Sequence, residues 1–468
     1  MHHIVAELAK HLSKLENTPV IVAFSGGVDS CVLLSALVEL KRSSVIQNAI
    51  YVCHVNHGLS PNADTWQQHA EQLCSSYQLP FIAKQVNINV ERRQSLEAVA
   101  REQRYKVLSA VAQQYNGVVL TGHHLDDQAE TFLLALKRGA GIRGLAAMQS
   151  DIMMEDFSLR IVRPLLSISR DTIEEYANER QLSWVEDESN TNTQFDRNFL
   201  RQQVMPLLSA RWPSIATTIA RSASHCQSAN ELLNELAQDD FQAVANDDNS
   251  LNCQPLYQLS QNRINNLMRF WINQHSCVLP SQVQLHEAMK QLSSDEDKMP
   301  AVKVGELWLR RHKQSLYLTP EFSDVSYWQQ VIKHSEIAPE ITTEVKLPDD
   351  LGQLMIAKDQ TLDEESSNAS DKKRPALAFS LPDNYAELKI VFAHDNPICL
   401  PDYRQHSRKL KKILQELNIP VWQRQRIPFI YCDQQLVAVV GYFVCQPFLP
   451  QCHPIKLSIH WSSTERSG

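Results

Sequence analysis

Residues 19–30 read Pro-Val-Ile-Val-Ala-Phe-Ser-Gly-Gly-Val-Asp-Ser, and the fold is decided there. Positions 19–24 form a short β-branched run of the kind buried on both faces of a parallel sheet. A glycine pair follows at once. Then comes a helical pattern over 29–40, with Val32, Leu33, Ala36 and Leu37 on one face. A strand that ends in Ser25-Gly26-Gly27-Val28-Asp29-Ser30 and opens into a helix can turn its backbone N–H groups toward an anion at the helix N-terminus. The hydroxyls of Ser25 and Ser30 add donors, and Asp29 sets a carboxylate beside the phosphates, which suits a bridging Mg²⁺. A serine-capped turn without a ligand is the bland alternative. All six residues in this context favour phosphate. The loop is neither a Walker A sequence nor a G-x-G-x-x-G dinucleotide loop.

Outward from this loop, strand patterns at 48–55, 81–88 and 117–121 alternate with helical patterns at 63–77, 95–115 (with Ser95 as its cap) and 126–137. Repeated β-then-α units imply a parallel sheet with helices on both faces and a ligand beyond the carboxyl ends of its strands. Gly122-His123-His124-Leu125-Asp126-Asp127-Gln128-Ala129-Glu130-Thr131 lies at one such end. Asp127 and Glu130, three apart, share a helix face near its positive end and suit a metal or a proton transfer. They are also ordinary first-turn residues, and position on the same rim as the loop favours the functional reading. Arg101 and Arg104 suit phosphate or an oxyanion, although a solvated helix face explains them equally. His54 and His57 end the second strand, where structural histidines are the commoner case. A third cluster runs from Trp184 through Asp187-Glu188-Ser189-Asn190 to a helix whose exposed side carries Arg197 and Arg201, one turn apart.

The chain has 468 residues, 43% of them apolar and 21% charged, with a net charge of -8. Length alone suggests about three domains. Disorder, collagen and membrane spans are excluded by composition and by the shortness of every apolar run. The start, Met1-His2-His3-Ile4 running to Lys10 and Lys14, lacks the pattern of a secretory signal, so the expected location is cytoplasmic. Ten cysteines include no C-x-x-C pair, which points to reduced, packed thiols. The expected division is a catalytic α/β domain over 1–213, a mostly helical middle over 214–320, a polar linker with a lead-in strand over 321–375, and a small α+β domain over 376–468. In the last domain, strands at 387–393 and 436–444 flank a basic helix over 403–417. Net acidity argues against a nucleic-acid partner, but only as an average. Between Pro401 and Ile430, Arg404, Arg408, Lys409, Lys411, Lys412, Arg424 and Arg426 face only Asp402 and Glu416. That local excess suits an RNA backbone, although most charge runs are solvated faces. Trp422 reads as core rather than a stacking platform.

The phosphate loop resembles that of the PP-loop ATP pyrophosphatases, which cleave ATP between its α and β phosphates. Together with the Gly122–Thr131 run, Arg163-Pro164-Leu165-Leu166, the Asp187–Asn190 cluster and Arg197-Asn198-Phe199-Leu200-Arg201, it resembles the tRNA(Ile)-lysidine synthetase family in its long, three-part form. That resemblance implies an adenine nucleotide α-hydrolase-like first domain and an AMP-forming carbon–nitrogen ligase. Its substrates would be ATP, L-lysine and the CAU-anticodon isoleucine tRNA, with Mg²⁺ as cofactor and a dimer or monomer as the working form. Ser25, Gly26, Gly27, Val28, Asp29 and Ser30 would hold ATP. Asp29 and Asp127 would hold the metal. Asp29, Asp127, Glu130 and Arg101 would serve the chemistry, while Arg197, Arg201 and the seven C-terminal basic residues would contact tRNA, with the middle domain also touching it. Three alternatives stay open: a tRNA 2-thiolase, which needs reactive cysteines; a small-molecule adenylating synthetase; and a non-catalytic RNA binder with a decayed loop.

Overall fold

A computed structural model of the chain describes residues 2–58, 60–86, 96–186, 188, 192–275, 280–292, 300–337, 342–358 and 376–462. Ser95, Asp187, Ser189, Asn190 and Cys277 lie outside those residues, as does the acidic part of the expected linker. The chain forms two compact units, Met1–Leu236 and Ala237–Gly468.

In the first unit the β-branched run becomes β1 (Val20–Ala23), and the other strands are β2 (Ile50–Asn56), β3 (Phe81–Gln85), β4 (Val118–Leu120), β5 (Asp151–Met154) and β6 (Leu159–Val162). They form one sheet in the order β3-β2-β1-β4-β6-β5, parallel except for the antiparallel edge strand β5. Alternation explains how this sheet is covered. Val20, Val22 and Val52 face one way into a core shared with helices α1 (His3–Leu12), α2 (Val28–Arg42) and α3 (Ala63–Tyr77). Ile21, Cys53 and Val119 face the other way, onto Tyr105, Leu108 and Val111 of α4 (Leu96–Gln114). Helix α5 (Leu125–Lys137) follows β4, a short α6 (Ile142–Leu145) follows it, and α7 (Arg170–Glu179) packs on α2. The chain leaves β1 toward β2 on one side and reaches β4 on the other, so the topological switch point lies between β1 and β4.

Beyond α7 the chain runs through α8 (Asp196–Phe199), a π-helical turn (Leu200–Val204) and α9 (Met205–Arg211) into the 30-residue α10 (Ile215–Val244). In the second unit, helices Gln261–Asn273 and Gln282–Leu292 pack on a four-stranded sheet around Trp271, Leu285, Leu309 and Leu316. Three antiparallel strands of that sheet, Ala301–Val304, Leu307–His312 and Ser315–Thr319, follow one another in the chain. The expected linker is not all linker. Gln329–Lys333 joins a five-stranded sheet, and Thr343–Lys346 and Gln353–Lys358 join a four-stranded one, because their alternate apolar residues share the terminal core. The strand expected over 436–444 is two strands, Gln435–Val439 and Phe443–Val444, broken at Gly441 with φ of +78°. The basic helix is shorter than the pattern suggests, Leu410–Glu416, since Arg408–Lys409 pair with Ile398–Cys399 as a small ribbon.

Arg426 is buried and donates to the Asp349 carboxylate at 2.5 Å, with its guanidinium 4.3 Å from the Phe322 ring centre. Asp349→Asn removes the carboxylate that meets this buried charge. The expected loss is about 3 kcal/mol in urea unfolding at neutral pH. Burial opposes ionisation of Asp349, but hydrogen bonds from Arg426 and Ser323 outweigh it and hold its carboxyl below the usual value. A depressed folded pKa gives stability that is complete above the unfolded value of about 4 and is lost as pH falls through the folded one. The gap between variant and parent should therefore close below about pH 4; a gap that holds constant with pH would contradict the pairing.

Candidate active site

The phosphate loop is tied from within. Gly26 N–H donates to Ser30 Oγ at 3.1 Å, Ser30 Oγ donates to the Gly27 carbonyl at 2.9 Å, and Gly27 N–H reaches Ser25 Oγ at 3.4 Å. Gly26 needs its glycine: φ is +88°, and an added Cβ would lie 2.8 Å from Val185 Cγ2. Val185 N–H in turn donates to the Gly26 carbonyl at 3.0 Å, so the strap after α7 braces the turn. Of the six loop residues, Ser25, Asp29 and Ser30 line a cavity of about 770 Å³ at the carboxyl ends of β1, β2 and β4. The sequence assigned Val28 to the nucleotide, but its side chain is buried in the core, which leaves only its backbone for a ligand.

The opposite wall begins at Gly122, where a Cβ would stand 3.0 Å from the Asp29 carbonyl carbon; the absence of a side chain lets the two turns meet. Asp127 caps α5 through the His124 N–H at 3.1 Å. Its other oxygen receives Arg197 Nη2 at 3.0 Å and Arg201 Nη2 at 2.9 Å. Glu130 receives Arg197 Nε at 2.8 Å and Arg201 Nε at 2.7 Å. Two carboxylates one helical turn apart thus meet two guanidiniums on the α8 and π-turn segment. Glu130 is 1% exposed and lines no part of the cavity, whereas Asp127 does. The sequence placed Arg197 and Arg201 on an exposed helix side; they turn inward because the buried carboxylates demand countercharge.

Burial favours a neutral Asp127, yet the charges of His124, Arg197 and Arg201 hold its carboxyl below the usual range. Burial likewise opposes charge on His124, but Asp126, Asp127 and Asp29 outweigh it and raise its pKa. His124 Nε2 lies 3.7 Å from Asp29 and 3.4 Å from Asp127, linking the two acidic walls. The adjacent His123 behaves oppositely: burial pushes it down to about 3, so it is neutral, with Nδ1 2.7 Å from Thr121 Oγ1. Both Asp29 oxygens accept from Arg170 Nη1 at 2.8 Å. Arg170 escaped the sequence reading. The available signal was its place just after Ser169, the cap of the helix that follows β6.

Arg101 and Arg104 both line the cavity. The Arg101 guanidinium lies 5.1 Å from the Tyr105 ring centre, and Arg104 Nε is 3.3 Å from His57 Nε2. His54 Nδ1 meets the Phe24 carbonyl at 2.9 Å, so its imidazole donates there and fits the structural reading. Phe195, unassigned from sequence, closes one side. Among the described residues no three His, Cys, Asp or Glu side chains form a metal cage. In the second unit, Arg404 and Arg408 pair with Glu416, Arg424 Nε donates to the Ile419 carbonyl at 2.7 Å, and Arg426 is internal as described above. Of the expected basic stripe, Arg408, Lys409, Lys411 and Lys412 are exposed, Arg404 and Arg424 are half-buried and Arg426 is buried. Trp422 is buried against Tyr317 and His312, as its core reading expects. Among the described residues no helix is long and apolar enough to cross a membrane.

Three family models match the chain. A PP-loop domain covers residues 1–208, a TilS substrate binding domain covers 251–317, and a TilS substrate C-terminal domain covers 388–461. A solved U34-tRNA thiolase from Methanococcus maripaludis shows 19% identity with a TM-score of 0.41 over 47% of this chain and 77% of that one, too low a score to bear further argument. Full-length relatives are more informative. The tRNA(Ile)-lysidine synthase of Coxiella burnetii is 37% identical over 94% of this chain and 93% of its own length. That of Yersinia pestis is 39% identical over 92% of this chain and 91% of its own. With a phosphate loop, an arginine-held acid pair on the same rim and end-to-end similarity of this degree, the chain belongs to the tRNA(Ile)-lysidine synthase family.

Proposed function

We propose that the protein joins the ε-amine of free lysine to C2 of the wobble cytidine in the CAU anticodon of an isoleucine tRNA, consuming ATP and releasing AMP and pyrophosphate. The observation that carries this reading is one cavity with the Ser25–Ser30 turn on one wall and the Asp127 carboxylate on the facing wall. The cytosine 2-oxygen is a poor leaving group. It attacks the α-phosphorus, the bond to pyrophosphate breaks, and the oxygen becomes part of an adenylyl ester. The lysine nitrogen then bonds to C2, the C2–O bond breaks, and AMP departs with that oxygen. Turning the nucleobase into the cavity costs little in a single-stranded loop.

The chain's own groups divide the work as follows. N–H groups of the Ser25–Ser30 turn and the α2 N-terminus receive the phosphates. Asp127 stays ionised and is the docking point for the lysine ammonium, which must shed a proton before attack. Glu130 keeps Arg197 and Arg201 in place and is a positioning residue. Asp29, whose carboxylate lines the cavity beside the phosphate turn, would hold a Mg²⁺ that arrives with ATP, whereas Asp127 is already matched by two guanidiniums. When bound, the ion would neutralise phosphate charge. Lys409, Lys411 and Lys412 meet the RNA backbone, in a cytoplasmic enzyme.

The thiolase alternative needs a reactive thiol at the site. Cys53 lines the cavity, but burial pushes it up to about 11, and Cys31 up to about 12, which leaves both as inert thiols.

The test is ligation of radiolabelled lysine to the isoleucine tRNA transcript. Label enters the tRNA only with ATP, and Asp127→Asn lowers the rate at least a hundredfold while changing the tRNA Kd by less than about threefold. Label that appears without ATP, or a variant that loses tRNA binding instead, would contradict the assignment.

A further inference from the structure

Beyond the Phe195–Arg197 wall of the active cavity lies a second hollow of about 430 Å³, lined by Lys137, Arg138, Gln194, Phe195 and Arg197 among others. Phe195 and Arg197 line both spaces, so the partition is a short stretch of chain. Phe195 is 45% exposed, an unusual place for a phenylalanine beside two cations. Lys137 and Arg138 end α5, where cations offset the helix dipole, and Lys137 pairs with Asp196 at 2.6 Å. That accounts for the cations but not for the ring. An exposed ion pair of this type is weak enough for a phosphate to displace. Arg138 lines the hollow and spends its Nε on the Leu134 carbonyl at 3.1 Å; a guanidinium has further N–H donors on its terminal nitrogens.

An aromatic face, a side-chain amide and two cations make the donor set for one nucleotide of single-stranded RNA: ring stacking, a base-edge contact and a phosphate. We propose that this second hollow receives the nucleotide next to the reacting cytidine, with its base on Phe195 and its phosphate at Arg138 and Lys137. The inference rests on RNA being the substrate. A base delivered into the active cavity leaves its covalent neighbour just outside, and the shared wall is where the backbone would pass. Such a subsite grips the loop around its target cytidine, with Phe195 as the stacking platform for the flanking base.

The experiment measures binding of an anticodon stem-loop RNA by filter retention, without ATP or lysine. Removing the base of the flanking nucleotide is expected to weaken binding to the parent protein by about tenfold, in the range of one lost stacking contact. Phe195→Ala should weaken binding of the intact RNA by a similar factor and show no further loss with the abasic RNA. Phe195→Trp should restore both. Arg138→Ala should flatten the dependence of log Kd on log salt by about 0.7, one phosphate's worth for a single strand. If the abasic and Phe195→Ala losses simply multiply, the two groups do not touch and the proposal is overturned. Ligation assays separate the two readings. Ligation without coupling sinks the subsite alone, and coupling without ligation sinks the proposed reaction and keeps the subsite.

Discussion

Two carboxylates on one turn of α5 and two guanidiniums on the segment that follows Phe195 neutralise one another inside the first unit, and the cavity takes its shape from that exchange. Glu130 is buried, and breaking a buried pair of this kind costs about 3–5 kcal/mol. The same contacts hold the α8 segment against the sheet rim, so a chain stretch almost seventy residues further on becomes a wall of the site. Arg170 does for Asp29 what Arg197 and Arg201 do for Asp127 and Glu130. Each acidic side of the cavity is thus pre-set by arginines before any substrate arrives, and fixed charges of this kind need no rearrangement during reaction.

This arrangement fits the chemistry of an unwilling leaving group. A pyrimidine carbonyl oxygen leaves only after it has been made part of a phosphate ester, so nucleotide and base must share one space. The topological switch between β1 and β4 supplies it, with the phosphate turn on one strand end and Gly122 to Asp127 on the other. Gly122 lets those turns approach, while Gly26 makes room for Val185 in the strap after α7. Lys409, Lys411 and Lys412 belong to the second unit, where a net acidic chain keeps a local positive face.

Much of this was legible in the amino acids. The β-branched run before Ser25, the repeated strand-then-helix rhythm and the acidic residues after Gly122 predict the parallel sheet and its rim, because each depends on local pattern. The roles of Arg197, Arg201 and Arg426 were not legible. An arginine at helical spacing reads as solvent-facing, and only the fold reveals a buried carboxylate that claims it. Arg170 and Phe195 carry no motif of their own and gain meaning from what the chain brings beside them. The strands at 329–333 and 353–358 were hidden for a related reason: each pairs with a strand from much later in the chain, and a polar composition masked the alternation there and in the neighbouring 343–346.

The central claim is that ATP activates the base and not the amino acid, and oxygen tracing tests it most directly. A tRNA carrying oxygen-18 at C2 of the wobble cytidine is turned over with lysine and ATP, and the released AMP is weighed by mass spectrometry. Transfer of that oxygen into AMP, in step with lysine incorporation, is the predicted result. Unlabelled AMP accompanying lysine incorporation would contradict it, because the cytidine oxygen would then have left by another route.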